Sequence, residues 1–289
     1  MSRASATAPA LVFRAWANQA GRFAAGPDVG VVVTTGPLGE PEPEFDIDLV
    51  FTWVDGGDPA WQARRQGRDT SGALHPTATN DARFTQIDEL RYALRAVERF
   101  APWRRRVFLV TDRQRPAWLA DEFPHVTVVD HTEIFDDPEA LPTFNSHAIE
   151  SRLHHIPGLA EHWVYLNDDV FLARYTPPST FFTSDGRLRA FLARDPIAEP
   201  TRQPDEPVVA ASRNNSAVLE RLTGVRVRHK MKHVPHPQLR SLTLELESLA
   251  AEEFHRTQLA PFRQPTDLSV ASSLAPHYAL ATGRGVPGR

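Results

Sequence analysis

Residues 162–172 read HWVYLNDDVFL, and what this stretch becomes decides the fold. Trp163–Leu166 is a short apolar, aromatic run of the kind that forms a buried strand. It stops at Asn167-Asp168-Asp169, and apolar residues resume at Val170-Phe171-Leu172. A buried charge costs several kcal/mol unless it is paired or metal-bound, so two adjacent carboxylates between apolar flanks are hard to explain by packing. The economical reading is a strand ending at a cleft floor, where Asp168 and Asp169 face a divalent cation carrying a phosphorylated substrate. The plain alternative is a polar turn after a strand, since Asn and Asp are common turn formers.

Similar strands precede it. In Phe45–Asp58, FDIDLVFTWVDGGD, a dense β-favouring run ends at Asp55-Gly56-Gly57-Asp58. Buried parallel strands look like this, with a turn where backbone can approach a ligand closely. Asp55-Gly56 would also suit a hairpin. The polar segment Pro59–Asn80 does not alternate as a partner strand should, so it is read as a long mobile loop. The spacing of Ile87, Leu90, Leu94 and Val97 predicts a helix over Thr85–Phe100, opened by a capping box from Thr85 to Asp88. Arg106–Thr111 and Val126–Val129 are two further strands, with a short Trp118-containing helix between them. Strand and helix alternate as in an α/β fold with a mostly parallel central sheet flanked by helices.

After Pro142, Asn145 can cap a helix running to about His155. On a wheel of 100° per residue, His147, Glu150 and His154 then share one face. Beyond Phe182 the periodicity weakens; Asp195–Pro207 reads as irregular, and Ser216–Leu222 and Pro237–Phe254 as helices. Residues 1–44 look like an appendage and linker, with a helical pattern, an edge strand at Val29–Thr35 and the Pro/Glu-rich Pro37–Glu44. Residues 45–289 form a single catalytic domain with a helical C-terminal part.

With 289 residues the chain can bury a substantial core. A net charge of −4 argues against a general nucleic-acid binder. The absence of cysteine excludes disulfides, thiolate zinc sites and a cysteine nucleophile. No apolar run is long enough to span a bilayer and no signal peptide is evident, so the cytoplasm is the expected compartment. Val12, Trp16, Ala20 and Phe23 recur at near-helical spacing beside Arg14 and Arg22. Such a segment can rest on the inner face of a membrane, although docking on the protein's own body is preferred.

Open α/β sheets bind ligands at the carboxyl ends of their strands. Those ends here are Asp55-Gly56-Gly57-Asp58, Thr111-Asp112-Arg113 and Asn167-Asp168-Asp169, all acidic or small and polar. Hard oxygen ligands favour Mg²⁺ or Mn²⁺ over zinc. A second constellation is His229-Lys230-Met231-Lys232-His233-Val234-Pro235-His236-Pro237. Its histidine spacing suggests helical zinc, but the prolines oppose a helix. A basic, proton-exchanging segment beside an anionic site is the better functional reading, and a solvated basic loop the plain one. In Phe262–Val270, Thr266 can cap a short helix starting at Asp267, and Arg263 suits bidentate binding of phosphate or carboxylate.

Together these segments resemble the Stealth family of sugar-phosphate transferases, which includes bacterial capsular polysaccharide phosphotransferases and the catalytic subunit of the lysosomal-enzyme GlcNAc-1-phosphotransferase. The similar blocks are Ile47–Pro59, Arg83–Leu119 continuing through Leu141–Phe171, His229–Pro237 and Phe262–Leu280. The resemblance implies a nucleotide-sugar-transferase (GT-A/Rossmann-like) fold. It also implies transfer of a sugar 1-phosphate from a nucleotide-diphospho-sugar to a hydroxyl of an acceptor glycan or polysaccharide, in capsule or exopolysaccharide synthesis. By that resemblance, Asp168 and Asp169 bind Mg²⁺ or Mn²⁺ or assist deprotonation, and His233 or His236 is the acid/base. Lys232 and Arg263 hold the anion. Trp53, Asp55, Gly56 and Asp58 hold the nucleotide, while Asp88, Glu89 and Arg91 order or line the donor site. His147 and Asp267 complete the expected substrate-binding set. Asp55-Gly56-Gly57 departs from the family's frequent Asn-Gly-Ser/Thr, which bears on donor preference. The short interval between the second and third blocks implies a small or simple glycan acceptor. The alternatives are a metal-dependent glycosyltransferase moving the sugar alone, a non-catalytic glycan- or nucleotide-binding protein, and a metal-dependent phosphohydrolase.

Overall fold

The computed structural model describes residues 42–68, 76–198 and 206–288. The expectations for the appendage through residue 41, and for 199–205 within the Pro-rich stretch, lie outside the described residues. Strands β1 (Ile47–Thr52), β2 (Val107–Thr111), β3 (Val126–Asp130) and β4 (His162–Asn167) run parallel in the spatial order β3-β2-β1-β4. The chain continues through β5 (Leu188–Ala190), β6 (Leu192–Pro196), β7 (His229–Met231), β8 (His236–Leu239) and β9 (Gly285–Pro287). β8 joins the sheet antiparallel to β4, with His236 opposite Tyr165 and Leu239 opposite His162. β5 pairs with β9 and β6 with β7 in two small ribbons.

The central strands read as unbroken apolar runs because both sheet faces are covered. Leu49, Phe51, Leu109, Val164 and Leu166 face one core, which includes Leu90, Leu94 and Val97 of the Glu89–Phe100 helix and Leu242 and Leu246 of the Arg240–Leu249 helix. Val50, Phe108, Val110, Trp163 and Tyr165 face a second core with Ala148, Leu153 and Ile156. The C-terminal third is largely helical, through Arg240–Leu249, Ala251–Leu259 and Ala275–Ala281. The expected α/β sheet is therefore present.

Several boundaries differ from the sequence reading. The Thr85–Phe100 helix begins at Glu89, because Asp88 adopts left-handed backbone (φ 65°) and makes no cap. Ile87, expected in the apolar stripe, is consequently 68% exposed. Pro59–Asn80 is not simply a loop, since Pro59–Arg68 is a helix. Asp58 Oδ1 accepts the Ala60 N–H at 2.9 Å, Pro59 occupies the first turn, and Trp61 is buried. The helix opened by Asn145 spans only Ser146–Glu150, and the separate 3₁₀ turn Leu153–His155 carries His154 away from His147. The expected Ser216–Leu222 helix extends over Pro207–Thr223. The start of the expected Pro237–Phe254 helix is strand β8, where Pro237 and Gln238 pair with Val164 and Trp163.

Candidate active site

At the carboxyl end of β4 the backbone turns, with the Val170 N–H donating to the Asn167 carbonyl at 3.1 Å. The turn points Asp168 inward and leaves Asp169 exposed. Burial, then the nearby Asp169 and Glu89 carboxylates, push the Asp168 carboxyl up to about 6. Behind it, the Tyr165 hydroxyl donates to Asn167 Oδ1 at 2.6 Å and lies 3.1 Å from Thr52 Oγ1. The β8 pairing brings the preceding residues to the same edge. His233 Nδ1 lies 3.4 Å from Asn167 Nδ2, and its Nε2 lies 3.2 Å from Asp169 Oδ1. This Asp169–His233 pair is mostly exposed, so its attraction is screened.

The opposite wall is basic, and an aromatic cluster builds it. Trp61, Phe84, Phe144 and Phe262 pack together, with Trp61 5.1 Å from Phe84 and 5.2 Å from Phe144, and Phe144 5.5 Å from Phe262. Arg83 precedes Phe84 and Arg263 follows Phe262, so burying the two rings in one cluster, linked through Trp61 and Phe144, delivers both guanidiniums to one cavity. Burial and the Arg263 charge pull Arg83 down to about 10. Burial also lowers Arg263, against the opposing pull of the nearby Glu150 carboxylate. Arg263 donates to Ser146 Oγ at 3.1 and 2.6 Å. Beside them, His147 Nδ1 lies 3.2 Å from Asp267 Oδ2, an oxygen that also accepts from Asn145 Nδ2 and the Gln264 N–H, each at 2.9 Å. If Nδ1 carries the hydrogen, Asp267 orients the ring and leaves Nε2 free for proton transfer.

Between the walls lies a cavity of about 530 Å³, lined by Trp53, Arg83, Glu89, His147, Asp168, Asp169, His233 and Arg263 among others. A second cavity of about 710 Å³ meets it at Phe84 and Thr85 and is lined by Asp55 and Gly56. A β-carbon on Gly56 would lie 2.3 Å from the Phe84 carbonyl oxygen, which accepts the Gly56 N–H at 3.0 Å. Glycine is required where these two segments meet.

The chain matches the family models for Stealth protein conserved region 1 at residues 45–73, conserved region 2 at 83–190 and conserved region 3 at 232–280. The chain belongs to the Stealth family. The cavity draws on all three regions, through Trp53, Asp168 and Arg263 respectively. An exopolysaccharide phosphotransferase of Streptomyces coelicolor is 53% identical over 244 residues, covering 84% of this chain and 41% of that protein. One from Nocardia farcinica is 47% identical over 281 residues, covering 96% and 52%. The exopolysaccharide phosphotransferase CpsY of Mycobacterium tuberculosis is 46% identical over 247 residues, covering 84% and 46%. This chain thus spans about half or less of the length of these curated relatives.

The Stealth site does not gather every residue expected from sequence. Trp53, Glu89, His147, Asp168, Asp169, His233 and Arg263 converge on the main cavity. Asp55 and Gly56 sit in the neighbouring one. Asp58 caps the Pro59–Arg68 helix and accepts from Gln114 Nε2 at 3.0 Å, contacts that lower its pKa. Arg91 is committed to Glu122, together with Arg95. Asp88 and Lys232 are exposed and outside the cavity lining. Asp267 is fully buried behind His147 and reaches the cavity only by its contact with the His147 ring. His236 is buried beside Tyr165, at 6.5 Å between ring centres, and burial followed by the His233 charge lowers it to about 3. A neutral buried ring outside the cavity lining is poorly placed for acid/base exchange. The segment around it forms strands, not the helix that zinc at His229, His233 and His236 would need.

Sequence reasoning did not assign Arg83. A basic residue flanking a buried aromatic occurs at both Arg83-Phe84 and Phe262-Arg263, and the repetition is a usable signal. Glu150 is also present, holding the Ser272 N–H at 3.1 Å and its hydroxyl at 2.6 Å. Asp168, Asp169 and Glu89 offer oxygen donors that suit Mg²⁺ or Mn²⁺. They do not form a closed cage. Among the described residues, the His/Asp/Glu group whose ligand atoms converge within 4.8 Å lies elsewhere, at His154, His155 and Glu247.

Proposed function

We propose that this cleft transfers a sugar 1-phosphate from a nucleotide-diphospho-sugar to a hydroxyl of an acceptor glycan in exopolysaccharide or capsule synthesis. The observation that carries the reading is the presence of two oppositely charged groups in the lining of one cavity: Asp168, Asp169 and Glu89 on one wall, Arg83 and Arg263 on the other. Neither wall is neutralised by its own members, and a metal-bound pyrophosphate matches both. The relatives named exopolysaccharide phosphotransferase support the reaction class. Asp168, Asp169 and Glu89 would be the residues to hold a Mg²⁺ or Mn²⁺ ion at this wall. When bound, that ion supplies charge neutralisation at the phosphates.

The acceptor oxygen attacks the sugar-bearing phosphorus, the bond joining the two phosphates breaks, and the nucleotide leaves as a monophosphate. Arg83 and Arg263 hold the phosphoryl oxygens as charge redistributes. His147 takes the acceptor proton at Nε2, with Asp267 fixing its ring and stabilising the cation formed. His233 is the second candidate for that proton, positioned by Asn167 and Asp169. The donor is met in the cytoplasm, where we place the reaction.

A panel of nucleotide sugars incubated with Mg²⁺ or Mn²⁺ and oligosaccharide acceptors tests this by mass spectrometry. Nucleoside monophosphate and a phosphate-linked glycan are the expected products. A nucleoside diphosphate product would transfer the site to the glycosyltransferase alternative, and free sugar phosphate without acceptor to the hydrolase.

A further inference from the structure

Beyond His147 the chain turns away from the cleft, and the 3₁₀ turn Leu153–His155 meets the Arg240–Leu249 helix at Glu247. His154 Nε2 lies 2.8 Å and His155 Nε2 2.7 Å from the same carboxylate oxygen, Oε2. The two imidazole centres are 4.2 Å apart. The other oxygen, Oε1, is already committed, accepting from Arg152 Nη1 at 2.9 Å and Gln258 Nε2 at 3.0 Å. Arg152 is itself fixed by the Ile134 carbonyl at 2.7 Å and by Asp136, which offsets its charge. The carboxylate is therefore locked with one oxygen aimed at two ring nitrogens. His154 is fully buried, while His155 and Glu247 remain partly exposed and leave a solvent-side approach.

We propose that His154, His155 and Glu247 form a second metal site, separate from the Asp168 cleft, that takes Zn²⁺ through two imidazole nitrogens and one carboxylate oxygen. The donor set separates this site from the cleft: two imidazoles with one carboxylate suit zinc, whereas an all-oxygen site suits Mg²⁺. Zinc sites of this composition keep a fourth position for water, and the partly exposed side supplies it. The Arg152–Glu247–Gln258 contacts act as the outer shell that orients a ligating carboxylate. The competing state is a metal-free tie in which both imidazoles donate to Glu247. His154 Nδ1 has no hydrogen-bond partner. It is an unmatched lone pair in that tie and an unmatched N–H with the ion bound, so it does not choose between them. An ion here would staple the turn that follows the His147-bearing helix onto the C-terminal helical part.

The test uses chelator-stripped full chain in saturating Mg²⁺, titrated with Zn²⁺ by calorimetry and with Co²⁺ by visible absorption. The proposal expects about one equivalent of Zn²⁺ per chain. At a hundredfold excess over the dissociation constant, Zn²⁺ should raise Tm by roughly 5–10 °C. Affinity should fall at least tenfold in His155→Asn and Glu247→Gln and stay unchanged in Asp168→Asn. Should the variants fail to fold, the Co²⁺ spectrum of the unaltered chain decides, because nitrogen-ligated low-coordinate Co²⁺ absorbs far more strongly than an all-oxygen octahedral site. No Zn²⁺ binding above Mg²⁺ competition, equal binding in folded His155→Asn, or only the weak octahedral spectrum would each overturn the site.

Discussion

At the amino end of β1, Asp48 is fully buried and takes Arg105 Nε at 2.9 Å and Nη2 at 2.5 Å, with the N–H groups of Arg106 and Ala160 at 3.2 and 2.8 Å. At the carboxyl end of β4, Asp168 is also largely enclosed, yet the charges acting on it are those of Asp169 and Glu89. Asp48 lies in β1, and Asp168 follows directly on the end of its parallel neighbour β4. The fold completes the first with its own donors and leaves the second short of positive charge. Burial alone therefore does not mark a functional carboxylate; burial without an internal cation does.

The contrast can be broken by substitution. On the proposed reaction, Asp168→Asn should lower turnover at least about a thousandfold, read as nucleoside monophosphate release, because it removes a charge that would hold the metal at the phosphates. Asp48→Ala should cost roughly 3–5 kcal/mol in denaturant unfolding by stranding Arg105 and two N–H groups, with the activity of the folded fraction retained. Arg83→Gln should lower turnover on the order of a hundredfold while leaving stability near the parent, because its charge serves the ligand more than the fold.

The smallest effect runs opposite to Asp48. A carboxyl raised from 3.8 to about 6 in the folded state favours the protonated form there. Its penalty is absent below the unfolded value, grows as pH rises, and is complete above about 6. Asp168→Asn should thus stabilise the cation-free protein by about 1–3 kcal/mol at pH 7.5, with the gain vanishing near pH 4. Urea unfolding across that range reads it. A constant gain at all pH values would mean that the charge on Asp168 is not the cause.

The sheet was readable from sequence because β1, β2 and β4 are buried on both faces and leave continuous apolar runs. The acidic wall was readable for the same reason, as carboxylates interrupting such a run. Elsewhere the signal was outweighed. A left-handed Asp88 cancelled a sound capping pattern, and a single buried tryptophan with an Asp58-Pro59 start turned an expected loop into a helix. The 100° wheel placed His154 beside His147, but the helix ends at Glu150 and the two rings serve different places. Arg83 and Arg263 come together through aromatic packing between distant segments; the Arg83-Phe84 and Phe262-Arg263 pairs are visible in the sequence, but their meeting in one cluster is not.

The reversed strand β8 imposes an order of manufacture. His233 reaches Asp169 across 64 positions of chain, and only once the later segment has come back to lie along β4. Arg263 and Asp267 arrive later still. A nascent chain on the ribosome therefore carries its acidic turn and Arg83 well before Arg263, the other half of the basic wall, has been made.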